Sequence, residues 1–263
     1  MNTTLKIVKY ELQDVIRGHW VILYTVFFAL ATEILIQFGG TGSRVIVSLM
    51  NVVLILIPLV SIVFGTMYVY HARNFIELLL SQPVSRHALF GGLYAGLALP
   101  LSFGFILGVG IPLAVHGALT GGQSGTFVML LVTGVLLTLV FTALALVVAL
   151  RAENRVQGVG ISLLLWLLFS VFYDGLVLIA SYSFSAYPLE KAMIGFTVLN
   201  PIDLGRILLL LKIDISALMG YTGAVFEQFF GSVLGLVIAT SALILWTSLT
   251  LLLAHRTFRK KDF

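Results

Sequence analysis

Two acidic side chains within long apolar stretches are the residues of this sequence best placed to do chemistry away from water. They are Glu33 and Asp174. An ionisable group in an apolar environment is costly, so each is a candidate proton or substrate site. Neither has a basic residue three or four positions away. Two alternatives stay open for both: a hydrated position at a membrane surface, or a polar contact between helices.

Metal and nucleophile chemistry finds little support. The chain has no cysteine, which excludes thiolate ligands, catalytic thiols and disulfides. Copper(I) prefers thiolate and thioether ligands, and no ladder of such residues is present. The histidines lie at the ends of apolar runs, and no nucleotide-binding, metalloprotease or hydrolase motif occurs. We therefore predict no metal site, no cofactor and no catalytic residue in this chain, which is not itself an enzyme.

Six apolar runs dominate the sequence, each about as long as the 20 or so residues that carry a helix across a bilayer. They lie near Trp20–Phe38, Val45–Tyr70, Ala88–Val115, Phe127–Leu150, Gly158–Ala180 and Phe230–Leu253. The pattern predicts an all-α polytopic membrane protein with six transmembrane helices, forming a single domain over residues 1–263.

Positive charge alternates between the gaps that separate these runs. Eleven of the fifteen Lys and Arg residues fall before the first run, in the second and fourth gaps and in the tail. Because cytoplasmic loops retain positive charge, both termini are predicted to be cytoplasmic. The sequence pI near 9.4 then reflects topology and contact with anionic membrane lipid, not nucleic-acid binding.

Two segments on the cytoplasmic side have helical apolar patterns. Leu5–Arg17 predicts an amphipathic helix along the membrane surface. The gap His71–His87 has an apolar stripe and is broken at Pro83, which predicts a short helix. A plain connecting loop of this length would seldom have such a stripe. We expect this short helix to dock into another protein.

The long extracytoplasmic gap Ser181–Phe229 is apolar rather than hydrophilic. Two apolar pieces, Met193–Leu199 and Pro201–Leu211, meet at Asn200. Asn200 could cap the second piece, with Pro201 in its first turn. The pattern predicts two short re-entrant helices, which must be buried in protein or line a cavity. They would form a lid, a dimer contact or a platform for an outside partner.

Taken together, these features resemble the type-2 ABC exporter permeases along the whole chain. That family has an N-terminal interfacial helix, six spans, a cytoplasmic coupling helix after the second span and re-entrant helices between the fifth and sixth. The string LLLSQPVSRHALF at Leu78–Phe90 resembles the exit of the family's coupling helix. The stretch Leu199–Gly231 resembles the subfamily of permeases that serves maturation of nitrous oxide reductase.

The resemblance implies a location in the bacterial inner membrane and a set of partners. They are a separate ABC ATPase, which binds ATP and Mg, a second copy of the chain in a homodimer, and a periplasmic β-helical accessory protein. The complex would couple ATP hydrolysis to export or mechanical work during assembly of the reductase's copper-sulfur centre. The residues expected at the ATPase are Arg73, Phe75, Glu77, Leu78, Leu79 and Arg86. Those expected at the periplasmic partner are Ile202, Asp203, Arg206, Asp214, Tyr221 and Glu227.

Two other functions stay open at this point. An ion-coupled carrier or channel would use Glu33 and Asp174 as its proton sites. An exporter permease for an unrelated small molecule would share the same architecture. For all of these functions the sequence does not define the transported species. Because the chain lacks cysteine ligands, a sulfur compound, or mechanical coupling without a solute, is favoured over copper as the cargo of the nitrous oxide reductase system.

Overall fold

The fold is known from a computed structural model that describes residues 19–39, 43–81, 84–117, 124–184, 190–213 and 220–261. For residues 43–44, 190–193, 213 and 220–232 the description covers the helical backbone alone. The predicted surface helix Leu5–Arg17 lies outside the described residues. Within the described part every regular element is helical and no strand occurs.

Six helical segments are long and apolar enough to cross a bilayer, which confirms the predicted number of spans. Between them stand a short helix after the second span and two short helices after the fifth. The elements are α1 Trp20–Gly39, α2 Ser43–His71, α3 Arg73–Leu80, α4 Arg86–Val115, α5 Ser124–Arg151, α6 Arg155–Leu167, a π-helical turn Leu168–Phe172, α7 Tyr173–Ser183, α8 Glu190–Leu199, α9 Pro201–Ile213 and α10 Gly220–Lys260. The fifth span is α6, the π turn and α7 together.

The last helix extends well beyond a membrane. It has 41 residues, and at 1.5 Å per residue it is about 60 Å long. The hydrocarbon core needs only about 30 Å. The helix is therefore about twice as long as the hydrocarbon core is thick.

Helix α5 is the centre of the bundle, and its apolar window is the most buried of the six spans. It packs against α2, α4, α9 and α10. The fifth span is the opposite extreme, because almost none of its window is covered by other parts of this chain. Its apolar surface must therefore face lipid or another protein.

Small residues allow the first and third spans to approach closely. A methyl group added at Gly108 of α4 would lie 2.7 Å from the backbone oxygen of Thr25 in α1. No side chain fits at that distance, so glycine is required for this contact. The apolar contacts of α1 and α4 include Phe28 and Phe105, whose rings meet edge to face at 5.4 Å.

The short helix α9 is wedged between spans. A methyl group added at Gly205 would lie 3.1–3.3 Å from Leu54 of α2 and from Thr133 and Leu137 of α5. Nearly every residue of α9 is buried. Helix α9 is thus part of the helical core, which allows it to hold polar groups at fixed positions inside the bundle.

Candidate functional site

The bend between α8 and α9 is held by Asn200, which makes contacts in three directions. Its side-chain oxygen accepts from the Ile202 amide at 3.0 Å, which confirms the predicted cap with Pro201 in the first turn. Its amide nitrogen donates to the Phe169 carbonyl at 2.9 Å and to Asp203 at 3.0 Å. Asn200 is fully buried, so these bonds fix the bend against the fifth span.

The Phe169 carbonyl is available because the fifth span changes helical form there. Residues Leu168–Phe172 make a π-helical turn, and such turns often occur at functional sites. Phe169 lies near the middle of the span Arg155–Ser183. On the other side of the bend, the Trp246 indole of α10 donates to the Val198 carbonyl at 2.9 Å. The bend therefore sits near mid-depth of both spans.

Beside the bend lies a group of three charges, Asp174, Asp203 and Arg206. We call it the outer charge cluster, where outer means the half of the bundle away from α3. The Arg206 Nη1 atom is 3.1 Å from Asp174 Oδ2 and 3.0 Å from Asp203 Oδ1. The first contact is a hydrogen bond. The second is close but is not aligned as one, so Asp203 Oδ1 is buried without a hydrogen-bond partner. Arg206 therefore ties α9 to α7.

The two carboxyl groups of the outer charge cluster differ in environment. Asp203 is only 8 % exposed, whereas the Asp174 side chain is 40 % exposed. Burial raises the pKa of Asp203 to about 6, Asp174 pushes it in the same direction, and Arg206 and the Asn200 hydrogen bond oppose both. The net effect of these contacts is that Asp203 takes up a proton more readily than an exposed aspartate does.

The other predicted acid, Glu33, lies near the ends of α1 and α4 that are away from α3. Its Oε1 atom is 3.5 Å from His116 Nε2 and accepts a hydrogen bond from Gln37 at 3.0 Å. Glu33 and Asp174 are thus on separate helix pairs, each in a polar contact between helices, and the structure does not bring them together. In the described part of the chain, no three His, Asp or Glu side chains are grouped as metal ligands.

At the opposite end of the bundle, α3 confirms the predicted short helix between the second and third spans. Ile76 is fully buried in a cluster of residues at this end that includes Leu89, Leu150 and Phe258. Leu78 is 56 % exposed. Helix α3 therefore has one face anchored on the spans and another that is open.

The residues expected to contact the ATPase fall on both faces of α3. Leu79 packs partly against the same cluster as Ile76, and Phe75 is half-buried. Arg73 and Glu77 form a hydrogen-bonded ion pair at 3.1 Å on the exposed side. Leu78 with this pair is the open surface of α3.

Arg86 is also placed by contacts at this end, but on a different element. Its Nη1 atom donates to the carbonyls of Arg259 at 2.8 Å and Lys261 at 3.2 Å. These carbonyls end α10, where the helix has no further amide to offer them. Arg86 therefore joins the start of the third span to the end of the sixth.

The residues expected to contact a periplasmic partner differ in how far they are exposed. Ile202 is 2 % exposed and packs in the main core with Ile207, so neither side chain offers surface in this conformation. Their burial follows from the wedging of α9 between spans. Arg206 is one-third exposed. Asp214 and the side chains of Tyr221 and Glu227 lie outside the described residues.

Comparison with known proteins decides the family. Residues 5–263 match the family described as ABC-2 family transporter protein. The chain belongs to this family of ABC transporter permeases. Members of this family are the non-catalytic, multi-pass membrane components of ABC transporters. Family membership therefore confirms the predicted resemblance and the prediction that this chain is a non-catalytic subunit.

Two relatives match the permease from end to end. It is 26 % identical over 280 residues to the probable ABC transporter permease protein NosY of Stutzerimonas stutzeri. It is 28 % identical over 286 residues to the probable ABC transporter permease protein NosY of Pseudomonas aeruginosa. Each alignment covers 99 % of the permease and 99 % of the relative.

Sequence reasoning missed three contributors to these sites. Ile76 was not singled out, although its spacing with Leu79 and Leu80 is that of a helix face turned to the core. The bridge from Arg206 to Asp174 spans 32 positions, and no local pattern encodes it. The π turn at Leu168–Phe172 likewise has no sequence signal that we can identify.

Proposed function

We propose that this permease couples ATP hydrolysis in a separate ATPase subunit to export or mechanical work on the periplasmic side, in a homodimer. In this arrangement α3 and both termini are cytoplasmic, and α8 and α9 are re-entrant from the outside. The charge distribution supports this orientation, since the Lys and Arg residues concentrate at the end of the bundle that holds α3.

The single observation that carries the coupling role is the two-faced helix α3. Ile76 anchors it to the spans, while Leu78 and the Arg73–Glu77 pair form an open surface with an apolar centre and a charged rim. This is the usual anatomy of a protein contact. An ABC permease requires an ATPase partner, and α3 offers that partner a rigidly attached contact.

A route from α3 to the outside follows from the packing. Helix α3 joins the second span directly, and that span packs against the fifth and against α9. At the outer end, Asn200 and the outer charge cluster tie α9 to the fifth span. A shift of the fifth span would therefore move α9 and α8. Arg206 and the start of α10 are the elements we assign to a periplasmic partner.

We further propose that the work serves assembly of the copper-sulfur centre of nitrous oxide reductase. The support is the end-to-end similarity to two proteins named NosY, together with the resemblance at Leu199–Gly231. That stretch contains α9 and the start of α10. A sulfur compound, or motion without any solute, is favoured over copper because the chain has no cysteine.

The test is deletion and complementation in a bacterium that encodes this chain. Loss of the gene should leave nitrous oxide reductase without the absorption of its copper-sulfur centre and without activity, and the wild-type gene should restore both. Affinity purification of the complemented complex should bring down an ATPase and a periplasmic protein. Normal reductase in the deletion strain would refute the maturation role.

The second candidate is an exporter permease for an unrelated small molecule. Family membership alone supports this function as well as it supports the maturation role, because the family defines the architecture and not the transported species. The same deletion strain separates the two functions. Intact reductase with an ATPase still bound to the permease would favour the second candidate over the first.

A further inference from the structure

A basic pocket opens at the cytoplasmic end of the bundle, beside the surface assigned above to the ATPase, with which it shares Arg73. It has a volume of about 670 Å³ and lies where the ends of α5 and α10 meet the start of α3. Its walls carry five cations and a single acid among the described residues. These are Arg73, Arg151, Arg256, Lys260, Lys261 and Glu153.

Only part of this positive charge is neutralised within the described chain. Arg73 pairs with Glu77, and the Lys261 ammonium donates to the Leu150 carbonyl at 2.7 Å, at the end of α5. Arg151, Arg256 and Lys260 are exposed, and no ion pair joins them to a described acid. The pocket therefore holds an excess of positive charge.

The environment of Lys261 agrees with this excess. Burial lowers the pKa of its ammonium, and the nearby Arg73 guanidinium lowers it further. A bound anion would oppose both effects. The arrangement thus favours an anionic group placed among these side chains.

The pocket also has an apolar wall that continues along α10. Leu253 lines the pocket. It lies at the end of a row of exposed leucines on the same helix, which also contains Leu245, Leu249 and Leu252. A free phosphate would make no contact with this apolar surface. A phospholipid would lay its acyl chains along the leucines and place its headgroup in the pocket.

We propose that this pocket binds the headgroup of an anionic phospholipid of the cytoplasmic leaflet, with Arg256 and Lys260 as its main cationic contacts. The proposal rests on the orientation given under Proposed function. Basic pockets between helices on the cytoplasmic side bind such headgroups by the same chemistry. The two residues are four positions apart on α10, so both face the pocket from one side.

The test compares two double variants of the purified full-length chain. The pocket pair is Arg256→Gln with Lys260→Gln. The matched control is Arg155→Gln with Arg259→Gln, which removes the same charge at the same end of the bundle from side chains that do not line the pocket. Native mass spectrometry and thermal unfolding in detergent would be followed while phosphatidylglycerol, phosphatidylcholine or inorganic phosphate is added.

Phosphatidylglycerol should bind wild type and control equally and raise their unfolding temperature, and it should bind the pocket pair about thirty-fold more weakly. Phosphatidylcholine and phosphate should have little effect. Equal binding to pocket pair and control would overturn the proposal, as would an equal response to inorganic phosphate. Loss of the ATPase from the pocket pair with unchanged lipid binding would assign the pocket to the ATPase instead. The purified chain needs no partner for this measurement, so the result is independent of the maturation role.

Discussion

Charged side chains on the two sides of the bundle differ in whether they are paired within the chain. In the half of the bundle away from α3, Asp174, Asp203 and Arg206 contact one another, and Asn200 links them to the backbone of the fifth span. At the end that holds α3, which we propose to be cytoplasmic, Arg151, Arg256 and Lys260 are exposed and have no ion pair with a described acid. The outer charges hold the chain together, while the cytoplasmic charges are available to something else.

This difference separates a structural role for charge from a binding role. A buried ion pair that is broken leaves an uncompensated charge and is strongly destabilising. An exposed charge contributes little to stability. Mutations at the outer cluster should therefore act on the fold and on transmission to the outside, and mutations at the cytoplasmic end should act on partners.

The largest effect is expected for Arg206→Met. This change removes the cation shared by Asp174 and Asp203 and leaves a buried carboxyl group without its counter-charge. The permease should lose on the order of 3–5 kcal/mol of stability, measured as a lower unfolding temperature in detergent and a lower membrane yield.

The control for this prediction is Arg155→Met at the cytoplasmic end. Arg155 is exposed, and the change removes one cation as well. Its unfolding temperature should stay close to that of the wild type. If Arg206→Met and Arg155→Met were equally mild, the contrast between the two ends would be wrong.

Two substitutions on α3 should separate anchoring from docking. Ile76→Ala removes a fully buried side chain and should destabilise the permease by about 2–5 kcal/mol. Leu78→Ala should leave the unfolding temperature unchanged. It should weaken ATPase binding by about 2 kcal/mol, or about thirty-fold, in a pull-down titration. A Leu78→Ala permease that retains its ATPase at wild-type affinity would remove Leu78 from the contact.

Much of the fold follows from sequence alone because the bilayer constrains it so strongly. The six spans and the short helix before Arg86 are read from apolar runs and a proline. The cap at Asn200 is also local, since an Asn followed by Pro at the first helical position favours a helix start. Each of these features depends on residues a few positions apart.

The features that the sequence did not predict depend on contacts between distant residues. Ile202 is buried because α9 is wedged against α2 and α5. The sequence pattern of an apolar residue is the same whether its side chain contacts a partner protein or the core of its own chain. The pairing of Arg206 with Asp174 depends on how α9 lies along α7. Periodicity carries information about one helix face but not about which helix it meets.

Proton uptake at the outer charge cluster should give a smaller effect than Arg206→Met. The pKa of Asp203 in the folded chain is about 6, above its ordinary value of 3.8. The folded chain therefore binds a proton that the unfolded chain has already released, so this side chain favours folding as the pH falls from about 6 to 4. Relative to Asp203→Asn, the wild-type unfolding temperature should rise over that window. A difference between the two proteins that does not vary with pH would contradict this account.

The smallest effect is expected at the Arg73–Glu77 pair of α3. Both side chains are nearly half exposed, and an exposed i,i+4 ion pair is worth only a few tenths of a kcal/mol to a helix. Glu77→Gln should therefore leave the unfolding temperature of the isolated permease unchanged within error. If this pair forms the rim of the ATPase contact, the same change should make ATPase association slower and less sensitive to salt, because rim charges act mainly on association rates. Stopped-flow mixing of permease and ATPase at low and high salt would measure this. An unchanged salt dependence would place the pair outside the ATPase contact. Leu78 would then be the remaining exposed residue of α3 that is assigned to this contact.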